Sequence, residues 1–274
     1  MIDIQQEALR YASSNPYSFT RIRWPDSKNE IWGRFRITEQ PNPVIASMLS
    51  DFIHNLRSAL DYVIVACSPK RLRYKASFPI LFEDIFAKDR DGNFVVNNTK
   101  LRDSFETVVK GLHPKARAFI ISLQPYHLEN LGISAHLNVL GIISRLENTD
   151  KHRQLITIGC GGQDFFLNFT MRDLPKPIRF NQPLGTGTQF LKDNTVIPYR
   201  LPPDFNRITR PNGSSIKPSD MDVHLVGTTK ILVKIARREG NKPTDDFLLD
   251  SLIIDAIADV RAILRQLEFF VVSK

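Results

Sequence analysis

The sequence predicts an α+β protein, in which a helical bundle is joined to an antiparallel β unit and a last helix packs back on the bundle. Apolar residues recur at helical spacing in the first half of the chain and again near its end. Between these parts, strand-like segments are separated by clusters of glycine and proline. With 274 residues, 42% of them hydrophobic and 24% charged, the chain can bury a substantial core.

Four parts are expected along the chain. They are an N-terminal β-hairpin (1–42), a helical bundle (43–153), an antiparallel β unit (154–243) and a C-terminal helix that packs on the bundle (244–274). The hairpin is predicted from two alternating segments, 17–24 and 30–37, that flank a turn-forming Pro-Asp-Ser-Lys-Asn stretch. Its polar face is expected to carry four arginines, Arg21, Arg23, Arg34 and Arg36.

Helical periodicity defines the bundle. Its helices are predicted at about 44–67, 100–110, 114–124 and 134–151, and a further helix at about 244–270. Ser134 is a possible N-terminal cap. The stretch 69–98 is predicted to be a loop excursion, with a buried anchor or short strand at Phe78-Pro-Ile-Leu-Phe82. In the β unit, Gly159-Cys-Gly-Gly162 is predicted to be a turn.

The charge and the cysteines restrict the class of protein. A net charge of +8 permits binding to nucleic acid, and the densest basic run is Lys70–Lys75, which is either a polyanion surface or a solvated loop. No apolar run reaches the roughly 18 residues of a membrane span, and the polar N-terminus lacks a secretory pattern. Cys67 and Cys160 are expected to be buried thiols. A cytoplasmic protein without membrane partners is expected.

Two polar clusters in apolar surroundings are the candidate site. Arg145–Arg153 joins a predicted core helix to a predicted core strand, so its polar groups need partners. The second cluster lies on the first long helix, where His54, Arg57 and Asp61 fall on one face and Asn55 adjoins them. We expect the two clusters to face each other, with the helical face of Arg145, Asn148 and His152 meeting His54, Arg57 and Asp61.

The spacing of Arg145 and His152, with six residues between them, resembles the Arg-x4–6-His motif of HEPN domains. The resemblance covers at most residues 44–153. It implies an α-helical bundle, often dimeric, whose active members cleave RNA without a metal. The chain also resembles a group of uncharacterised bacterial proteins that share His-Asn-Leu-Arg-Ser-Ala-Leu-Asp, here His54–Asp61, and Asp-Lys-His-Arg, here Asp150–Arg153.

The HEPN resemblance implies a metal-independent endoribonuclease, in defence or toxin biology, with no cofactor and with RNA and a second copy of the chain as partners. The 2′-OH of RNA would attack the adjacent phosphate while His152 moves a proton near neutral pH. Arg145 would hold the phosphate oxygens, and Asn148 or His54 would orient the nucleophile or protonate the leaving group. The residues expected to follow the RNA backbone are Lys151, Arg153, Lys70, Arg71 and Arg73.

Two other interpretations stay open. Asp61 or Asp51 could pair with Arg145 or Arg153 in a buried network that fixes the helix register. The chain would then be a non-catalytic RNA-binding or protein-interaction module. A metal site would use His54, Asp61, Asp150 and His152, but no helix carries a typical His-x-x-Glu or His-x-x-x-His spacing, so no metal is expected. Nucleotide-binding and Gly-x-Ser-x-Gly hydrolase motifs are absent from the sequence.

Overall fold

The protein is α+β, and its chain divides into two compact units. One unit comprises Met1–Ile45, Thr157–Lys234 and Asp246–Leu249, and the other comprises Ala46–Ile156, Ile235–Asp245 and Asp250–Lys274. The structure, a computed structural model, describes residues 2–22, 30–93, 99–129, 138–151, 157–171, 179–183, 193–200, 209–210, 212–215, 217, 221–235 and 245–271.

The described residues of the first unit form one helix and two sheets. Its elements are α1 (Ile2–Ser13), β1 (Tyr17–Ile22), β2 (Glu30–Ile37), β3 (Thr157–Met171), β4 (Arg179–Pro183), β5 (Val196–Arg200), β6 (Met221–Ile235) and β7 (Asp245–Leu248). One sheet has the strand order β1-β2-β5, with both pairs antiparallel. The other has the order β4-β3-β6-β7, with β3 antiparallel to both β4 and β6.

The N-terminal hairpin is confirmed, but its arginines do not share a face. Phe19 lies opposite Phe35 and Arg21 opposite Gly33, whereas Arg34 lies opposite Thr20. Since side chains alternate strictly along a strand, Arg21 belongs to the face of Phe19 and Phe35, and Arg34 to the other face. The prediction shifted the alternation of apolar residues by one position within β1, and this shift placed Arg21 on the wrong face. Arg23 lies outside the described residues.

The apolar face of this sheet has a tightly packed centre. Phe35 is buried with Ile197 of β5, and Tyr17 and Phe19 pack against them. Gly33 permits this arrangement, because a Cβ there would lie 1.7 Å from Cζ of Phe19. The glycine is therefore required by the aromatic ring that covers it.

The glycine-rich stretch of the β unit is a strand and not the predicted turn. Gly159 to Gly162 lie within β3 and pair in register with β6, from Leu232 to Thr229. Both strands have fifteen residues, and the register shifts only between Gln163 and Phe166. Pairing along the length of a partner strand outweighs the weak strand propensity of glycine.

The second unit is a helical bundle. Its elements are α2 (Pro43–Cys67), a 3-10 helix (Lys70–Lys75), α3 (Thr99–Val109), α4 (Pro114–Ser122), α5 (Tyr126–Glu129), α6 (Val139–Lys151) and α7 (Leu249–Glu268). The predicted helices are confirmed, but two of them begin later than expected. The helix α6 begins at Val139 and not near 134, and the Asn138 Oδ1 accepts from the Leu140 N–H at 2.8 Å at its start. The C-terminal helix begins at Leu249, because 245–248 pair as β7. Ser134, the expected cap, lies outside the described residues.

An apolar stripe on α2 forms the centre of the bundle. Leu49, Ile53, Leu60 and Ile64 are almost completely buried, at the spacing of one helical face. The C-terminal helix packs on the bundle, with Sγ of Cys67 lying 3.5 Å from the main-chain oxygen of Leu267. Among the described helices, none combines the length and the apolar character needed to cross a membrane.

Candidate functional site

The two polar clusters meet, at Arg57 of α2 and Glu147 of α6. Nε of Arg57 lies 3.6 Å from Oε2 of Glu147, and the two side chains are only 15% and 11% exposed. The encounter of the two clusters is therefore confirmed at Arg57, but its partner is Glu147, which is not on the predicted face of Arg145, Asn148 and His152. Glu147 lies inside the Arg145–Arg153 stretch, and a carboxylate on a predicted core helix was the available signal for a basic partner on α2.

Arg57 and Asp61 also hold the main chain of Phe78. Nη2 of Arg57 donates to the Phe78 carbonyl oxygen at 2.7 Å, and Oδ1 of Asp61 accepts from the Phe78 N–H at 2.7 Å. The same Nη2 lies 3.2 Å from the same Oδ1, an ion pair one turn apart on α2. One helix face thus supplies a donor and an acceptor to both peptide groups of one residue, as a neighbouring strand would.

A buried amide holds the next part of the same segment. Gln124 is 1% exposed, and its Oε1 accepts from the Leu81 N–H at 2.8 Å. Its Nε2 donates to the carbonyl oxygens of Pro79 at 3.2 Å and Ile120 at 2.7 Å. The predicted anchor is confirmed, since Phe78 and Leu81 are 0% and 3% exposed. Segment 78–81 is irregular, so side chains supply the partners that a sheet would otherwise give.

The two described side chains of the proposed catalytic set differ in exposure. Arg145 is 8% exposed and takes part in a further interaction, whereas Asn148, one turn later on α6, is exposed. His152 and Arg153 lie outside the described residues. Asp150 and Lys151 belong to the last turn of α6, but their side chains also lie outside the described part.

The supporting residues on α2 fall into two groups. Arg57 and Asp61 are engaged as described above, whereas His54 and Asn55 face solvent, as does Asp51. Asp51 therefore does not have the buried position expected of a partner for Arg145. Within the described part of the chain, no three histidine, cysteine or acidic residues lie close enough together to hold a metal ion.

The basic 3-10 helix Lys70–Lys75 is a separate exposed surface. Lys70, Arg71 and Lys75 are exposed, and Tyr74 is 77% exposed, with Nζ of Lys75 lying 5.3 Å from the centroid of its ring. Arg73 is half-buried and donates through Nε to the Ser68 carbonyl oxygen at 3.1 Å. The sequence contains no acidic residue between Asp61 and Glu83, so no neighbour in the chain offsets these charges.

Shifted pKa values occur at Cys67 and Tyr126, two described residues of the helical unit that belong to neither polar cluster. Burial raises the pKa of the Cys67 thiol, which favours its protonated form. Burial, and then the nearby Asp84 carboxylate, raises the pKa of Tyr126 to about 12. The expectation of a buried thiol at Cys67 is confirmed. The side chain of Cys160 lies outside the described residues.

Comparison of the chain with protein-family models, with curated proteins and with solved structures gives no match. The interpretation of the site therefore depends on the chemistry and geometry of its own residues.

Proposed function

We propose that this protein binds RNA as a non-catalytic module, and that its His/Arg/Asp clusters are a structural polar network. The observation that carries the proposal is the exposed basic 3-10 helix, where Lys70, Arg71 and Lys75 face solvent without a neighbouring carboxylate in the sequence. Phosphate groups bind such surfaces with release of counterions, and this electrostatic contribution to binding needs no catalytic group.

The contacts of Arg57 and Asp61 support the structural half of the proposal. Both side chains are bonded to the main chain of Phe78, and Arg57 also pairs with Glu147. The printed contacts of this guanidinium are therefore structural ones, with a main-chain oxygen and two carboxylates. On α2, Arg57 and Asp61 thus hold the loop at Phe78, which supports a structural role for these two residues.

The test is binding of a fluorescent RNA oligonucleotide at increasing salt, followed by anisotropy. If three cations contact phosphates of a single strand, the logarithm of the binding constant should fall with the logarithm of salt concentration with a slope of about −2. Replacing Lys70, Arg71 and Lys75 by glutamine should weaken binding and bring this slope toward zero.

A control variant removes the same charge from exposed positions elsewhere in the helical unit, with glutamine at Lys115, Arg261 and Arg265. It should bind RNA more tightly than the Lys70/Arg71/Lys75 variant. Absence of binding by the unchanged protein at low salt would contradict the proposal. Equal losses in the two variants would show a diffuse charge effect instead of a site.

A second candidate is the HEPN-type endoribonuclease, active as a cytoplasmic homodimer in defence or toxin biology. One observation favours it: α6 continues to Lys151, so that Arg145 lies within two turns of the helix end, next to which His152 follows in the chain. His152 would move the proton of the attacking 2′-OH, and Arg145 would offset charge on the phosphate. The burial of Arg145 is the observation that weighs against this role.

Incubation of RNA in EDTA with the unchanged protein and with His152→Ala tests the second candidate. Cleavage that is lost in the variant, at an unchanged melting temperature, would support the enzyme. An inert unchanged protein would exclude it and leave the binding proposal intact. Sedimentation of the same samples would measure the dimer.

A further inference from the structure

We infer that the 3-10 helix Lys70–Lys75 is a platform for single-stranded nucleic acid, on which Tyr74 stacks an unpaired base between phosphate contacts from Lys70, Arg71 and Lys75. The inference rests on the proposed RNA binding and names the form of RNA and the residue that recognises it. Its starting point is Tyr74, whose ring is 77% exposed although burial of an aromatic ring is favourable.

The charges around Tyr74 match a stacking site. Lys75 holds its Nζ 5.3 Å from the ring centroid, and Lys70 and Arg71 precede it within one short helix. Proteins that bind single strands combine cations that follow the backbone with aromatic rings that receive the bases. Here both parts occur within six residues.

The underside of the platform is fixed to the bundle. Arg73 bonds back to the Ser68 carbonyl oxygen at 3.1 Å, and the Leu72 N–H donates to the Pro69 carbonyl oxygen at 2.8 Å. Gly111, in the turn before α4, lies so close that a Cβ there would be 3.0 Å from Cδ1 of Leu72 and 3.2 Å from Cγ of Pro69. The backbone that carries Tyr74 is therefore ordered before binding, which lowers the entropic cost of association.

The stacking mode requires a single strand. In a duplex the base faces are covered by their neighbours, and proteins reach mainly phosphates and groove edges. An exposed tyrosine offers nothing to those groups beyond one hydroxyl. Duplex RNA is therefore expected to bind through charge alone, and its affinity should not change when the tyrosine ring is removed.

The experiment titrates the protein into a labelled single-stranded RNA and into the matching duplex, with Tyr74→Ala, Tyr74→Trp and Tyr62→Ala as variants. Tyr62 is the matched control, because it is 74% exposed on α2 and has no lysine or arginine within four residues in the sequence. Tyr74→Ala should weaken single-strand binding at least about five-fold, from the usual loss of one stacked base. Tyr74→Trp should retain it, Tyr62→Ala should not change it, and duplex affinity should be the same for all variants.

The outcomes separate the platform from the proposed function. If the unchanged protein binds no RNA, the proposed function fails and the platform with it. If RNA binds but Tyr74→Ala behaves like Tyr62→Ala, only the platform is overturned. Duplex binding that is as tight as single-strand binding, or equally sensitive to Tyr74→Ala, also overturns it. Equal melting temperatures of the variants, expected for an exposed ring, make any loss a binding effect.

Discussion

Replacement of Asp61 by alanine is expected to destabilise the helical unit, because it removes the acceptor for a buried main-chain group. Oδ1 of Asp61 lies 2.7 Å from the Phe78 nitrogen and 3.2 Å from Nη2 of Arg57. Phe78 is fully buried beside it. In Asp61→Ala the Phe78 N–H loses this partner, while Arg57 keeps its bonds to the Phe78 oxygen and to Glu147.

The unsatisfied N–H of Phe78 accounts for most of the expected loss of stability. A buried donor left without its acceptor costs about 1–3 kcal/mol. The lost ion pair adds at most about 0.5 kcal/mol, because the Asp61 side chain is 35% exposed and solvent screens it. A total near 2 kcal/mol should lower the melting temperature by about 4–8 °C. Asp61→Asn keeps an oxygen at the same place and should cost less than about 1 kcal/mol.

Thermal and urea unfolding, followed by circular dichroism at the helix band, measure these differences. Asp51→Ala is the matched control, since it makes the same substitution at an exposed position of the same helix and gains the same helix propensity. Subtracting its effect isolates the contact with Phe78. If Asp61→Ala and Asp51→Ala differ by less than about 0.5 kcal/mol, the acceptor is not needed and the reasoning is wrong.

Two further predictions concern the sheet and a tyrosine. Gly33→Ala should lower the free energy of unfolding in urea by about 1–3 kcal/mol, because its Cβ would lie 1.7 Å from Cζ of Phe19. Adding Phe19→Leu to this variant should recover part of the lost stability. A Gly33→Ala protein as stable as the unchanged one would contradict the packing. The pKa of Tyr126 is raised to about 12 from an ordinary value of 10.0, so the folded state keeps a proton that the unfolded state releases between these values. This group should not affect stability below about pH 10, and stability should fall as the pH rises toward 12. The free energy of unfolding, measured near pH 9 and near pH 11.5, should therefore fall more in the unchanged protein than in Tyr126→Phe. Equal decreases in the two proteins would refute the assignment.

Local periodicity was enough to predict much of the fold. The apolar stripe of α2 and the alternation of β1 and β2 are properties of neighbouring residues, so the helix and the hairpin could be placed from the sequence. The pairing of β2 with β5 could not, because Gly33 and Ile197 are neighbours only through the folded chain. The same holds for Gly159–Gly162, whose strand conformation depends on the partner strand β6.

The candidate site shows a different limit of sequence reasoning. The polar faces of α2 and α6 were expected to meet, and Arg57 and Glu147 do so. The role of Asp61 could not be predicted, because its partner is the main-chain N–H of Phe78. Every residue except proline has such an N–H, so it leaves no mark in the sequence. A carboxylate that serves a loop and one that serves a reaction have the same chemistry and can occupy the same helical spacing. Their partners distinguish them.

The two functional hypotheses depend on different residues. Binding through the 3-10 helix would depend on exposed groups, of which Tyr74 is the most informative, whereas cleavage would depend on Arg145, which is 8% exposed. If RNA is bound at Lys70–Lys75 and cut near Arg145, loss of the basic residues should lower both activities, while His152→Ala should lower cleavage alone. The Asp61→Ala variant should lose binding and cleavage only at temperatures at which the variant unfolds. A protein in which His152→Ala abolished binding as well, without loss of stability, would place RNA at the end of α6 and displace the 3-10 helix as its principal site.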